Sequence, residues 1–368
     1  MTEVDWNAGH DGTGEERGAA LRVALRLTAP HLDAFISQLN VEMSSKDWGF
    51  ARLAEIRDEG QRGLVSDQFL SAAYGLRDAL VDTAIAAKEL RDATGPNGLP
   101  YPDRGDSLNE MLQHEQIRRS VAAFFDATGT ALDCLAAVLV VVSRAPLSIQ
   151  RADFRALLAL DPTGNYAKAF VDAVPNEQRE LWISLLKELT EARSAGPPDW
   201  LDWSLEMRNA LTHRGRVTNI FLPRRISREL ALPRTSKPQA LFRYDLHLRR
   251  RPWLPEIEAM LVADGLPETW LDEPATRTLE GLLDALSAYC DQLMAWASAT
   301  WLSPPALTAP VLRWVLPAEP TIEFTGVEPG GTVEIQGAIG GVNLEHVRLA
   351  ERLRIRQAAA SKLAQPEG

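Results

Sequence analysis

SLNEMLQHEQIRRSVAAFFDATGTALDCLAAVLVVVS, residues 107–143, is the stretch that decides the architecture. Its apolar residues recur at the three- and four-residue spacing of a helix, and Pro146 stops it. Residues 109–119 are polar, whereas 121–142 are apolar around nearly the whole circumference. A helix of that kind is covered on most sides, so this one is expected at the centre of a helical bundle. Its longest unbroken apolar run, 134–142, is well short of the roughly 18 residues a bilayer span needs, and no membrane contact is expected.

Upstream, TGPNGLPYPDRGD at 94–106 is turn chemistry throughout and marks a boundary. Residues 19–93 carry helical spacing, interrupted near 46–50 and 60–63, and read as a small helical layer. Residues 1–18 are acidic and glycine-rich with no apolar h-region, which reads as a disordered lead and not a secretory signal.

Downstream, short helices are expected at 149–160 and 177–192, the second ended by AGPP at 195–198. The next helix runs from Trp200 to Arg214, with Asp199 as N-cap, Asp202 in the capping-box position and Gly215 as the stop. Residues 217–222 and 241–248 have strand composition, separated by a proline- and arginine-rich connection. A long helix at 274–301 starts after Asp272 with Pro274 in its first turn, and Leu279, Leu282, Leu283, Leu286, Leu293 and Met294 form its apolar stripe. A proline-rich strap at 304–320, a hairpin of 321–327 and 332–339, and an arginine-rich amphipathic helix at 343–364 complete the chain.

The fold class expected is therefore mainly α. A helical bundle spans 106–302 with an inserted basic strand segment at 216–251. It is preceded by an N-terminal helical region at 19–100 and followed by a proline-rich linker, a small C-terminal β-hairpin and a helix over 303–368.

Composition limits the function. At 368 residues, 45% hydrophobic and 24% charged, the chain has the balance of a folded, water-soluble protein of two or three units. Its two cysteines, Cys134 and Cys290, sit in apolar helical runs, as small buried hydrophobes do, and fit a reducing cytoplasm. The net charge of −11 repels nucleic acid overall, but the basic residues are segregated. From 214 to 251 there are eleven Arg or Lys against Glu229 and Asp245, leaving 28 basic and 48 acidic residues elsewhere. Several catalytic signatures are missing: the chain has no phosphate-loop motif, HExxH pair, paired CxxC or GxSxG elbow. Its six histidines have no metal-ligand spacing, so no metal or cofactor is expected, and His114 and His247 read as exposed.

One constellation remains, WSLEMRNALTHRGR at 203–216. At about 100° per residue, Asp202, Glu206, Asn209 and His213 form one polar stripe, with Trp200, Trp203, Met207, Ala210 and Leu211 on the core side. Arg208 flanks the stripe, roughly 140° around from His213. These residue types suit RNA cleavage. The 2′-hydroxyl is an internal nucleophile whose proton a neutral-range base can move without a metal. A fixed guanidinium then stabilises the added negative charge at phosphorus. Asn209 can orient the imidazole or bond a phosphate oxygen, with Glu206 and Thr212 in support. A purely structural role is the competing reading: Arg208 pairs with Glu206 or Asp202, and the helix C-terminal dipole favours both cations.

Arg208-Asn209-x-x-x-His213 resembles the R-N-x-x-x-H form of the Rx4-6H motif of the HEPN superfamily. FFDATGTALD at 124–133 is similar to the first, buried helix of such domains. The resemblance covers 107–216 and extends toward 274–301. It implies a metal-independent endoribonuclease acting as a toxin or anti-phage effector, homodimeric with its site at the protomer interface, and held inactive by a neutralising antitoxin or sensor protein. His213 would then be general base or acid and Arg208 the phosphate stabiliser, with Asn209 assisting and Arg214, Arg216, Arg224 and Arg225 binding RNA. The alternative is a catalytically inactive dimerisation, RNA-binding or scaffold protein with the same bundle. A weaker one is an anti-phage sensor whose 321–339 hairpin recognises the trigger.

Overall fold

The computed structural model describes residues 29–43, 59–95, 108–145, 149–158, 176–214, 220–226, 241–252 and 269–303, with positions 53, 56, 99 and 147 between them. The hairpin and helix expected at 321–339 and 343–364 lie outside the described residues, as does 1–28. The chain is mainly α. Among the described residues there are seven α-helices: α1 Pro30–Met43, α2 Glu59–Thr94, α3 Leu108–Ser143, α4 Phe154–Leu158, α5 Asn176–Ala192, α6 Trp200–Arg214 and α7 Ala275–Leu302. Three strands, β1 Ile220–Ile226, β2 Leu241–Arg249 and β3 Trp270–Pro274, lie between α6 and α7.

The central helix forms as its sequence requires. Every residue of α3 from Leu135 to Ser143 is buried, and α3 packs against α2, α4, α5, α6 and α7. Helix α3 is apolar and long enough to cross a bilayer by composition, yet 72% of its most apolar window is buried inside the protein. It ends one turn before Pro146: Arg144 takes a left-handed conformation (φ 56°), which turns the Ala145 N–H back onto the Val140 carbonyl at 3.0 Å. The Trp182 indole of α5 caps the same end by donating to the Ser143 carbonyl at 2.9 Å.

Helices α2 and α3 form an antiparallel hairpin across the 94–106 connection. Gln113 of α3 donates to the Ala93 carbonyl near the end of α2 at 2.7 Å, and Gly75 sits where a Cβ would be 2.9 Å from Cys134 Sγ. The expected interruption at 60–63 does not occur, because α2 runs through Gly60 and Gly63 and its packing on α3 outweighs two glycines in its first turns. The helix expected at 149–160 is instead a 3-10 turn, Ile149–Arg151, followed by the short α4. Helix α7 crosses the bundle beside α1. His31 of α1 donates its backbone N–H to Asp291 Oδ1 at 2.8 Å and places Nδ1 2.7 Å from Oδ2, while the Trp301 indole donates to Glu42 at 3.0 Å. One hydrophobic core contains residues from α1 through α7.

The β elements form an antiparallel sheet in the order β1-β2-β3. Strand β1 takes in Pro223, Arg224 and Arg225, which the sequence placed in the connection, while 217–219 of the expected strand lie outside the described residues. Pro223 is tolerated because β1 is an edge strand. Leu246 and Leu248 enter the core, Phe221 and Tyr244 pack against it, and Leu99 exchanges two backbone hydrogen bonds with Tyr244 at 2.9 Å.

At the polar start of α3, Glu115 accepts from Arg118 Nη2 at 2.7 Å and from Arg119 Nε at 2.9 Å, the i+3 and i+4 positions. The two guanidinium groups hold its carboxyl at about 2, well below the usual glutamate value. Because the folded-state value is depressed, this contribution to stability is complete above the unfolded value and is lost as pH falls toward 2. A carbon-detected carboxyl titration is expected to place the Glu115 midpoint near 2, and a midpoint above 4 would contradict the fork.

Candidate functional site

Helix α6 occupies Trp200–Arg214, the span expected from its sequence, but its start is built differently. Asp199 is left-handed (φ 61°), outside the extended backbone of an N-cap, and offers its carbonyl to the Trp203 N–H at 2.9 Å. Asp202 does not reach back as a capping-box acid; it pairs with Arg193 at 3.1 Å. At the start of α7 the same correction holds: Asp272 lies in β3 facing Arg250 at 3.4 Å, and Pro274 is the cap residue.

The core side of α6 is as its periodicity implies. Trp200, Met207 and Ala210 are buried, and Trp203 and Leu211 are partly buried against the core. Trp200 meets Tyr289 of α7 edge-on at 5.8 Å and donates its indole N–H to the Arg193 carbonyl at 2.9 Å. Trp203 meets Phe125 of α3 edge-on at 5.5 Å, and its indole N–H is shared between the Arg249 and Arg250 carbonyls at 3.2 and 3.1 Å. Both tryptophans are structural, and through Trp203 the bundle holds the end of β2.

On the other side Asp202, Glu206 and Thr212 are exposed and Asn209 is half-buried. His213 and Arg214 close the helix, Asn209 lying one turn before His213; the side chains of both, and all of Arg216, lie outside the described residues. Arg208 does not pair with Glu206 or Asp202. Its Nη2 lies 3.2 Å from Asp133 Oδ2 of α3, each side chain about one-third exposed. The other carboxylate oxygen, Oδ1, accepts the Phe154 N–H at 3.1 Å, so one carboxylate joins α3, the start of α4 and α6.

Gly129, one turn before Asp133, makes this approach possible. A Cβ there would stand 2.2 Å from Arg208 Cδ and Nε and 2.6 Å from Cζ. The arginine therefore lies flat across α3 in a notch only glycine provides. The signal for this seat was present in the sequence: a glycine inside a helix destined for burial costs about 1 kcal/mol relative to alanine and asks for a packing reason. Asp133, an acid four residues later in an apolar run, supplies the second half of it.

The sheet register pairs part of the basic segment. Arg224 stands opposite Arg243 and Arg225 opposite Phe242; the side chains of these four lie outside the described residues. His114 is exposed, its ring 5.2 Å from that of Phe221. His247 is not exposed: it is buried between β1 and β3 because the ladder covers it, and Nδ1–H donates to the Leu271 carbonyl at 2.8 Å. Burial raises the thiols of Cys134 and Cys290 above the ordinary value, so neither is poised as a thiolate.

Among the described residues no group of three or more His, Cys, Asp or Glu is placed to hold a metal ion. A cavity of about 450 Å³ lined by Arg193, Pro197, Asp199, Trp200 and Asp202 lies at the amino end of α6, the end away from His213. The chain matches no family model, no curated protein and no solved structure.

Proposed function

We propose that the chain is a metal-independent endoribonuclease of the HEPN type, cutting RNA by attack of its own 2′-hydroxyl and acting as a toxin or anti-phage effector in the cytoplasm. The observation that carries this reading is the seating of Arg208. A guanidinium that lies in a glycine notch of the central helix is pre-oriented, on the same helix as Asn209 and His213. In this reading His213 moves the proton of the 2′-hydroxyl, Arg208 bears the negative charge at phosphorus and Asn209 supports either group. Arg214, Arg216, Arg224 and Arg225 hold the strand electrostatically. A homodimer would bring two α6 helices to one RNA, and a neutralising protein would keep the toxin silent.

The test is incubation of wild-type protein and His213→Ala with total RNA in EDTA, followed by end-group analysis. Fragments ending in 2′,3′-cyclic phosphate from the wild type alone are the expected result. Equal cutting by His213→Ala would remove the assignment.

A second reading, a catalytically inactive scaffold or RNA-binding protein on the same bundle, is favoured by one observation. Asp133 already meets the charge of Arg208, as it would for an arginine that only ties helices together. Binding of RNA without cyclic-phosphate products, undisturbed by His213→Ala, is the result this reading expects.

A further inference from the structure

We infer that Gly129 and Asp133 of α3 are positioning residues for Arg208, setting the guanidinium for a phosphate contact; the inference rests on the ribonuclease reading for its reaction. Three features distinguish this arrangement from an ordinary tie between helices.

The first is how the pair is divided. The shortest approach of the pair is Arg208 Nη2 to Asp133 Oδ2 at 3.2 Å, and Asp133 gives its other oxygen to the Phe154 N–H. A guanidinium has five N–H donors in a rigid fork, more than the one remaining carboxylate oxygen can take up, so donors are left for a planar, two-oxygen contact with phosphate. The second is exposure: Arg208 and Asp133 are 31% and 33% exposed, so the seat opens to solvent and a ligand can reach it. The third is the notch. Cδ, Nε and Cζ of Arg208 lie against Gly129 more closely than any side chain at that position would permit, so the base of the guanidinium takes this place only because residue 129 has no Cβ. Because Gly129 and Asp133 are i and i+4 on α3, they form one continuous seat beneath stem and head.

Three substitutions separate positioning from structure. Gly129→Ala inserts one methyl where the stem lies, and the atoms it meets belong to the movable end of a side chain, so the arginine shifts while the helix gains a better helix former. Asp133→Asn keeps an oxygen for the Phe154 N–H and replaces the oxygen facing Arg208 with an uncharged NH2 group that cannot accept from it. Arg208→Ala removes the object of the seat. Turnover of a single-stranded RNA oligonucleotide in EDTA is measured for each variant and for the doubles with Arg208→Ala, together with Tm. RNA affinity is measured by fluorescence anisotropy in a His213→Ala background.

Gly129→Ala and Asp133→Asn are each expected to lower kcat by about tenfold or more while KM changes less than about threefold. Tm is expected to stay level, or to rise for Gly129→Ala. In the Arg208→Ala background neither should lower kcat further, because residues acting through one group are not additive. Losses that add to that of Arg208→Ala, or single variants with wild-type kcat, would overturn the positioning role while leaving the ribonuclease reading intact. If the wild type binds RNA without cutting it, the ribonuclease reading fails on its own. The same cycle read on affinity then decides the seat: equal, non-additive weakening by Gly129→Ala and Arg208→Ala supports it, and additive weakening overturns it. A wild type that neither cuts nor binds RNA overturns both.

Discussion

His213→Ala is expected to lower RNA cleavage by about 100- to 10,000-fold, the usual contribution of a general acid or base, with no fall in Tm. The two halves of that expectation have separate origins. The loss of rate follows because the 2′-hydroxyl is a poor nucleophile until its proton leaves, and imidazole is the one side chain of α6 whose ordinary titration range spans neutral pH. Retention of stability is the expectation for a helix end: His213 is the penultimate residue of α6, and truncating a side chain there leaves the backbone hydrogen bonds of the preceding turns in place. A lysine at the position should not restore turnover at neutral pH, since its amine is protonated there and cannot accept the proton. Rates and melting curves measured on the same preparations separate a chemical defect from a folding defect. A fall in both would mean that His213 is structural.

Phe125→Ala is expected to have the largest effect on stability, about 3–5 kcal/mol, with Tm falling on the order of 10 °C. Phe125 is fully buried at the contact between α3 and α6, edge-on to Trp203 at 5.5 Å and to Phe124 at 5.3 Å. Removing its ring leaves a cavity under the helix that presents Arg208 and takes away the partner that holds the Trp203 indole on the Arg249 and Arg250 carbonyls. Denaturant melts should show the loss, and a cost under about 1 kcal/mol would mean that α6 is seated by other contacts. Activity of this variant is expected to fall with the folded fraction, in contrast to His213→Ala, whose folded fraction is unchanged.

The boundaries of α6 and the burial of α3 were legible in the residues themselves. Both depend on short-range facts: the 3.6-residue period of apolar side chains, a proline after one helix and a glycine after the other. The division of α6 into a core side with Trp200, Met207 and Ala210 and a polar side with Glu206 and Asn209 follows from the same period. Local reasoning failed where a residue's partner is distant. Asp199 and Asp202 have the composition of a capping pair, but the backbone turns left-handed at Asp199 and Arg193 draws Asp202 away. His247 alternates in a strand as an exposed residue would, yet lies in the middle strand of the sheet, with Ile220 on one side and Pro274 on the other.

Arg208 shows the division most clearly. Spacing along α6 set it beside the polar stripe and left Glu206 and Asp202 as the acids within reach on its own helix. The packing of α6 across α3 instead brought up Asp133 and the Gly129 notch, from a different helix far upstream. Helical periodicity is written in neighbouring residues because a turn repeats every few positions. Which two helix faces meet depends on how the apolar surfaces of the whole bundle fit together, and only the folded chain expresses that.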